Sequence, residues 1–451
     1  MEDEGREELF MKHLFTMLLA LVAATASAQD FEVDGIYYNI LSQDDRTVEV
    51  TENPNDYAGD VVIPGEVTYD GSTYSVTTIG DWAFGGCALT SVDMPSVTTI
   101  GDYAFYGCDA LTSVEMPAVT TIGNSAFIYC FALTSVSMPE VTTIGVWAFS
   151  FCSALTSVDI PASCTSIAGN PFQKCKSLEE IVVDENNPNY SSADGVLYDK
   201  DKTTLIGWPT AEGEIDIMPS VTTIGEEAFI YCFALTSVSM PEVITIDNSA
   251  FYLCRALTSV EMPSVTTIGY GAFNNCDGLT SVSMPAVTTI GIWAFNYCSS
   301  LRSIDIPASV TMIGEEAFVS CGGLTSVYCH WEQPLECDPS FEETVLATAT
   351  LYVPDGCVDA YRSVYPWSEF ANIEEGGYSG IADTPGSEMA VKVIDGTITI
   401  EGGDGTASAP VVEVYSAGGQ CVWRGTDSSI GGLARGVYVV KVDGTVQKVA
   451  L

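Results

Sequence analysis

Fifteen cysteines offer the most obvious chemistry in this chain. Ten recur at a near-constant interval: Cys87, Cys108, Cys130, Cys152 and Cys175, then Cys232, Cys254, Cys276, Cys298 and Cys321, mostly 22 residues apart. A zinc site needs ligands close together in sequence, and there is neither a Cys-x-x-Cys pair nor a Cys/His cluster. One cysteine per copy would put equivalent thiols side by side if the copies stack. Neighbouring strands lie about 4.8 Å apart, which is within the Cα separation a disulfide allows. Each of these cysteines, however, follows a phenylalanine by three residues and precedes a leucine by two or three. In such surroundings a free thiol serves as a small apolar side chain, so the ladder is expected to be buried and unbridged. Cys164, Cys329, Cys337, Cys357 and Cys421 lie off the ladder. Cys329 with Cys337 is the pair best suited to a bridge in an exported protein.

The remaining candidate chemistry is sparse. Of the two histidines, His13 lies in an N-terminal apolar segment, so any Ser-His-Asp or Cys-His mechanism would have to run through His330. His330 stands between Cys329 and Trp331, where a surface or cap role is expected. Carboxylates are too numerous to single out an acid and a base, and nothing indicates a glycosidase cleft. Asp184-Glu185-Asn186-Asn187 and residues 194–201 are rich in oxygen ligands but lack the D-x-[DN]-x-[DN]-G loop. Turn formation is their expected use. No catalytic residue, metal or cofactor is expected.

The elements that must hold these residues come from one repeated unit, seen at 97–117 as VTTIGDYAFYGCDALTSVEMP, with ten copies aligned on the ladder cysteines. Leu111, Val114 and Met116 have the L-x-x-L-x-L spacing whose alternation sets the last two on one face of a short strand. Pro117 ends that strand. Val119 and Ile122 form a second apolar pair before Gly123, and Ala126-Phe127 closes the coil. A single coil cannot bury its own apolar face, so coils must stack. The unit resembles the BspA-like leucine-rich repeats of bacterial surface proteins, over roughly residues 77–328. The departure between Cys175 and Cys232, residues 182–209, resembles the hairpin island that interrupts many members of that family. These features imply a mostly β fold: a leucine-rich-repeat solenoid of about ten 22-residue coils with a small C-terminal β-sandwich.

Composition narrows the partners. Sixty acidic against 15 basic residues give a formal net charge of −45, which repels nucleic acid and anionic membranes. No 3.6-residue helical period is apparent. Residues 1–28 read as a secretory signal peptide, with Met11 the suspected start, an apolar run from Leu14, and cleavage after Ala26-Ser27-Ala28. No stretch is apolar for long enough to span a membrane. Residues 29–76, in short alternating runs broken by Asp-Gly and Pro-Gly, suggest an N-terminal β cap. Residues 329–375 are expected to form the C-terminal cap, and 376–388 have linker composition. Residues 389–451 contain short strand runs between Gly-rich turns. The series from Val414 through Gly418-Gly419, Gly431-Gly432 and residues 435–442 to Lys448-Val449 resembles the type A C-terminal sorting domain of the type IX secretion system, although Met389-Ala390 stands where that family often carries Asn-Pro. The resemblance implies delivery by the secretion machinery to the cell surface, anchored in the outer membrane or released.

Any function of the array must then lie on its outward side chains. The outward strand position reads Asp93, Glu115, Ser137, Asp159, Val182, Ser239, Glu261, Ser283, Asp305 and Tyr328, and two residues earlier stand serines such as Ser91, Ser113 and Ser135. A sheet of serines with spaced carboxylates suits an extracellular protein or glycan ligand, with a simply solvated strand face as the alternative. A second outward set follows the repeat glycine, including Trp82, Tyr103, Trp147, Glu227, Trp293 and Glu316, with Tyr106, Tyr129, Phe131, Tyr231, Phe233, Tyr252 and Tyr297 near the cysteines. These aromatics suit coil-to-coil packing, with glycan stacking as the alternative. The expectation is an adhesion or interaction protein, monomeric and not an enzyme.

Overall fold

The computed structural model describes residues 29–208 and 210–376, together with strand segments between residues 389 and 450. The signal segment 1–28, residues 377–388 of the linker and the Gly418-Gly419 and 431–436 turns lie outside the described residues. Two compact units are distinguished. The first comprises residues up to 299 with 309–321 and 338–341, and the second comprises 300–308, 322–337 and 342–451.

In the first unit each coil supplies two strands. The longer follows the cysteine, as in Ser113–Glu115 and Ser135–Ser137, and the shorter precedes the repeat glycine, as in Thr121–Ile122 and Thr143–Ile144. The short strands pair in parallel from coil to coil, as with Ile122 opposite Ile144, whereas the long strands pair in parallel in separate runs, Ser113–Glu115 with Ser135–Ser137 (Val114 opposite Val136) and Ser157–Ile160 with Glu180–Val183. Residues 22 apart in sequence thus become neighbours, so one apolar pattern repeated in every copy generates a continuous core. The N-terminal hairpins join this scheme. Phe31–Val33, Ile36–Ser42 and Thr47–Val50 are antiparallel, and Thr47–Val50 then pairs in parallel with Ser72–Ile79 at the start of the short-strand sheet.

The core is a column of phenylalanines. Phe84, Phe105, Phe127, Phe149 and Phe172 stack with ring centroids 4.9–5.8 Å apart. Phe229, Phe251, Phe273, Phe295, Phe318 and Phe341 do so at 4.9–5.5 Å. The ladder cysteines are buried beside them, as expected, but they are more than apolar filler. The thiols of Cys108, Cys130, Cys152 and Cys175 each donate to the carbonyl of the phenylalanine one coil earlier, Phe84, Phe105, Phe127 and Phe149, at 3.1–3.2 Å. Cys254, Cys276, Cys298 and Cys321 repeat the pattern. Burial pushes the Cys175 thiol up to about 12, so it stays protonated and able to donate. Repeat threonines act similarly at the surface, Thr120 and Thr142 donating to Thr98 and Thr120 carbonyls.

The island is a three-stranded antiparallel meander, Tyr190–Ala193, Val196–Asp199 and Thr204–Gly207, whose last strand pairs in parallel with Thr223–Ile224 and so restarts the short-strand sheet. At its end Trp208 substitutes for the missing repeat phenylalanine: its ring lies 6.0 Å from Phe229 and its carbonyl faces the Cys232 thiol at 3.6 Å. The coils flanking the island meet through a polar knot. Trp147 Nε1 donates to Glu227 at 2.6 Å, the Gln173 amide donates to the same carboxylate oxygen, and Asn170 donates to the Glu227 carbonyl. Burial raises the Glu227 carboxyl above its usual value, and those two donors only partly oppose it. Beside the knot Lys174, buried, lies over the rings of Phe233 and Tyr231 at 3.5 and 5.1 Å. Cation–π contact provides for its charge.

In the second unit Ser303–Ile306, Ser326–Cys329, Thr350–Val353 and Asn372–Glu375 form a parallel sheet. Two helices, Glu343–Thr348 and Val358–Tyr361, were not legible from periodicity because each is under two turns long. They cover a cluster in which Tyr361 Oη donates to the Trp331 carbonyl and Trp367 Nε1 to that of Leu335. The Cys329–Cys337 bridge is not formed. Neither cysteine is in a disulfide, and Cys329 is buried on the inward side of its strand. The C-terminal strands make two antiparallel sheets, one of Met389–Ile394, Thr397–Gly402 and Ser429–Ile430, the other of Cys421–Gly425, Val412–Ser416, Val437–Val442 and Thr445–Ala450.

Phe127→Ala is expected to cost about 3–5 kcal/mol, and Cys130→Ala, which removes a buried donor, about 1–2 kcal/mol, both read from urea unfolding midpoints. A thiol reagent should leave the ten ladder cysteines untouched in the native chain and modify them in urea. Because the Glu227 carboxyl is raised on folding, its contribution is favourable below the usual glutamate value of 4.5 and is lost as pH rises through the raised one. Glu227→Gln should therefore gain stability relative to the parent on going from pH 4 to pH 8, and thermal melts across that range would show it.

Candidate interaction surfaces

Strand alternation sorts the repeat residues cleanly. Val92, Val114, Val158, Val238 and Val260 point inward and are buried, while Ser91, Asp93, Ser113, Glu115, Ser135, Asp159, Ser239, Glu261 and Ser283 are exposed. Ser137 is half-buried rather than exposed. Pairing aligns these side chains across strands: Ser113 opposite Ser135, Glu115 opposite Ser137, Ser239 opposite Glu261, and Glu261 opposite Ser283. Around Ser237, Ser239, Ser259 and Glu261, with Pro241 and Pro263, the face forms a shallow depression of about 250 Å³. The cap adds Asp60, opposite Ser91. Ser91 and Thr90 hydroxyls both donate to Asp60 at 2.7 Å and hold its carboxyl below the ordinary value. Among the described residues of the first unit, no lysine or arginine occupies an outward position on these long strands.

Asp305 and Tyr328 belong to the second unit, where Asp305 is opposite Tyr328 and Tyr328 opposite Tyr352. Asp305 is exposed and its Oδ1 pairs with His330 Nε2. Tyr328 is half-buried, its ring stacked on Tyr352 at 4.8 Å. His330 thus borders the outward face of its sheet, a position set by a partner 25 residues away. Among the described residues no His, Cys, Asp or Glu group is arranged to hold a metal ion.

The second predicted outward set is mostly not outward. Trp82 and Tyr103 are half-buried and stack at 4.6 Å, backed by Tyr106. Tyr106, Tyr129 and Phe151 are buried in a side cluster with Ile128, against which Phe131 and Tyr231 pack. Trp147 is half-buried at the island seam. This is the coil-to-coil packing expected, and it takes two of the three tryptophans out of consideration as free platforms. Trp293 is the exception, exposed together with Tyr270, Ile292 and Tyr297.

The BspA type leucine-rich repeat region matches in six copies, over residues 73–193 and 217–332, which is more than half of the chain. A leucine-rich cell surface protein of Faecalibacterium prausnitzii is 30% identical, with 68% of this chain and 95% of that one covered and a TM-score of 0.51. The pneumococcal vaccine antigen PcpA, at 18% identity, 77% and 98% coverage and a TM-score of 0.55, shares the fold. No curated protein matches. Repeat spacing, stacked two-strand coils and these matches together place the chain in the BspA type leucine-rich repeat family.

Proposed function

We propose that this is a cell-surface or secreted adhesion protein that binds a host, matrix or bacterial protein through the outward face of its long strands. The observation that carries the proposal is the charge pattern of that face in the first unit. Exposed serines alternate with Asp93, Glu115, Asp159, Asp216 and Glu261, without an intervening cation. Parallel pairing sets such groups side by side within each run of long strands, Glu115 opposite Ser137 and Asp216, Ser239, Glu261 and Ser283 in series, so a partner meets a similar hydroxyl and carboxylate arrangement more than once. Such a surface favours modest contacts summed by multivalency and a partner of complementary, basic charge.

Surface display of the F. prausnitzii relative supports the location. Among the described residues no helix is long and apolar enough to cross a membrane. Export would rest on residues 1–28 as signal peptide and 389–451 as sorting domain, with 29–76 and 329–375 capping the array.

Two experiments test the reading. In a pull-down against immobilised extracellular-matrix and bacterial surface proteins, the full chain should capture a partner that Glu115→Lys/Asp159→Lys/Glu261→Lys does not, and raised salt should weaken capture. Equal capture by both would remove the strand face from consideration. Deleting residues 389–451 should leave the chain in the periplasm, read by fractionation and surface labelling. Normal display would sink the sorting assignment.

A further inference from the structure

The turn face carries a second surface, made by side chains other than those of the strand face. Most coils have two residues in the left-handed region, one two positions after the repeat glycine and one just before the cysteine. Glycine is the natural occupant of such positions, and Gly271, with φ 57°, fills the first of them in its coil. A large aromatic there is sterically disfavoured. Where the array uses one early in the chain, burial compensates: Tyr129 and Phe151 are 3% and 8% exposed with their rings in tilted contact at 4.6 Å, and Trp82 lies against Tyr103.

One coil breaks this pattern. Trp293 (φ 57°) and Tyr297 (φ 58°) both sit in the left-handed region, yet they are 37% and 53% exposed. Neither recovers its cost by packing into the core. Trp293 is nonetheless held in place: its Nε1 donates to Glu316 at 2.9 Å and its backbone N–H to the Glu315 carbonyl. One coil earlier Tyr270, 43% exposed, lies with its ring 5.3 Å from that of Trp293, tilted by 45°. Ile292 extends the apolar surface and the exposed Glu315 borders it. Strained, exposed and fixed aromatics are a sign of function rather than of folding.

We propose that Tyr270 and Trp293 form a binding platform for a neutral hexopyranose glycan. Two exposed aromatic rings with centroids 5.3 Å apart and tilted by 45° suit the apolar C–H face of a pyranose, whose hydroxyl edges need acceptors. The Glu316 carboxylate, which accepts from Trp293 Nε1, supplies one at the border. An uncharged sugar also escapes the repulsion that a chain of net charge −45 exerts on anionic glycans. A protein partner would be expected to bring aliphatic side chains into a concave site, whereas this platform is two tilted rings rimmed by acid.

The test is native affinity electrophoresis of the full chain in gels containing soluble β-1,4-glucan, β-1,3-glucan or mannan. At least one should retard the chain, and Trp293→Gly should weaken that retardation about tenfold, the loss of a stacked ring, with Tyr270→Ala acting likewise. Glycine suits the left-handed backbone, so Trp293→Gly should keep or raise the thermal midpoint, while Trp82→Ala lowers it. The proposal is overturned if no neutral polysaccharide retards the parent chain, if Trp293→Gly binds as the parent does, or if it melts as early as Trp82→Ala, which would make Trp293 a packing residue. Retardation by none of the gels, with a Trp293-dependent protein captured in pull-down, would reassign the patch to protein contact.

Discussion

A phenylalanine carbonyl in the turn of each coil has two lone pairs and no solvent. The Phe105 carbonyl receives the Cys108 N–H of its own coil at 3.2 Å and the Cys130 thiol of the next coil at 3.1 Å. A buried carbonyl left unpaired is costly, and a hydroxyl at the same place would bring stronger polarity into an apolar column. Cysteine is small enough, apolar enough and still a donor. That single contact ties each phenylalanine carbonyl to a thiol 24–26 residues later, and with the stacked rings it forces every copy to keep the same length between phenylalanine and cysteine.

From this register the division of labour follows. Inward positions are committed to neighbours above and below, so variation there is penalised. Outward strand positions are freed from that constraint, and there the copies carry carboxylate or serine, while the turn residues after the glycine vary among aromatic, acid and glycine although most of the aromatics pack between coils. The island shows how strictly the rule applies. Where the repeat is interrupted, Trp208 fills the place of the phenylalanine, and a buried lysine takes the aromatic place next to Cys175, over Phe233.

The sequence made the coil legible because its period is short and its pattern redundant: ten aligned cysteines and phenylalanines specify stacking without further information. The thiols' role as donors was less visible, since apolar surroundings alone suggest filler and the acceptor belongs to another coil. The Trp147–Glu227 bond spans 80 residues and the His330–Asp305 pair 25. Such contacts are fixed by stacking across the island or the last coils and leave no local periodic trace. For the candidate site, alternation identified Ser113, Glu115 and Glu261 as outward, but not that Ser137 is half-covered or that Tyr328 rests on Tyr352. The aromatic set illustrates the limit best. Spacing treats Trp82, Trp147 and Trp293 alike, and only the neighbours across coils make the first two packing residues and leave the third exposed.

The claim that recognition lies on the outward strand residues is most directly tested by hydrogen-exchange and hydroxyl-radical footprinting of the full chain, free and bound to a captured protein partner. Protection of side chains at Ser113–Glu115, Ser135–Ser137 and Ser259–Glu261, with the turn residues unchanged, is the expected result. Protection confined to the turns after the repeat glycines, with the strand face still open to labelling, would contradict it.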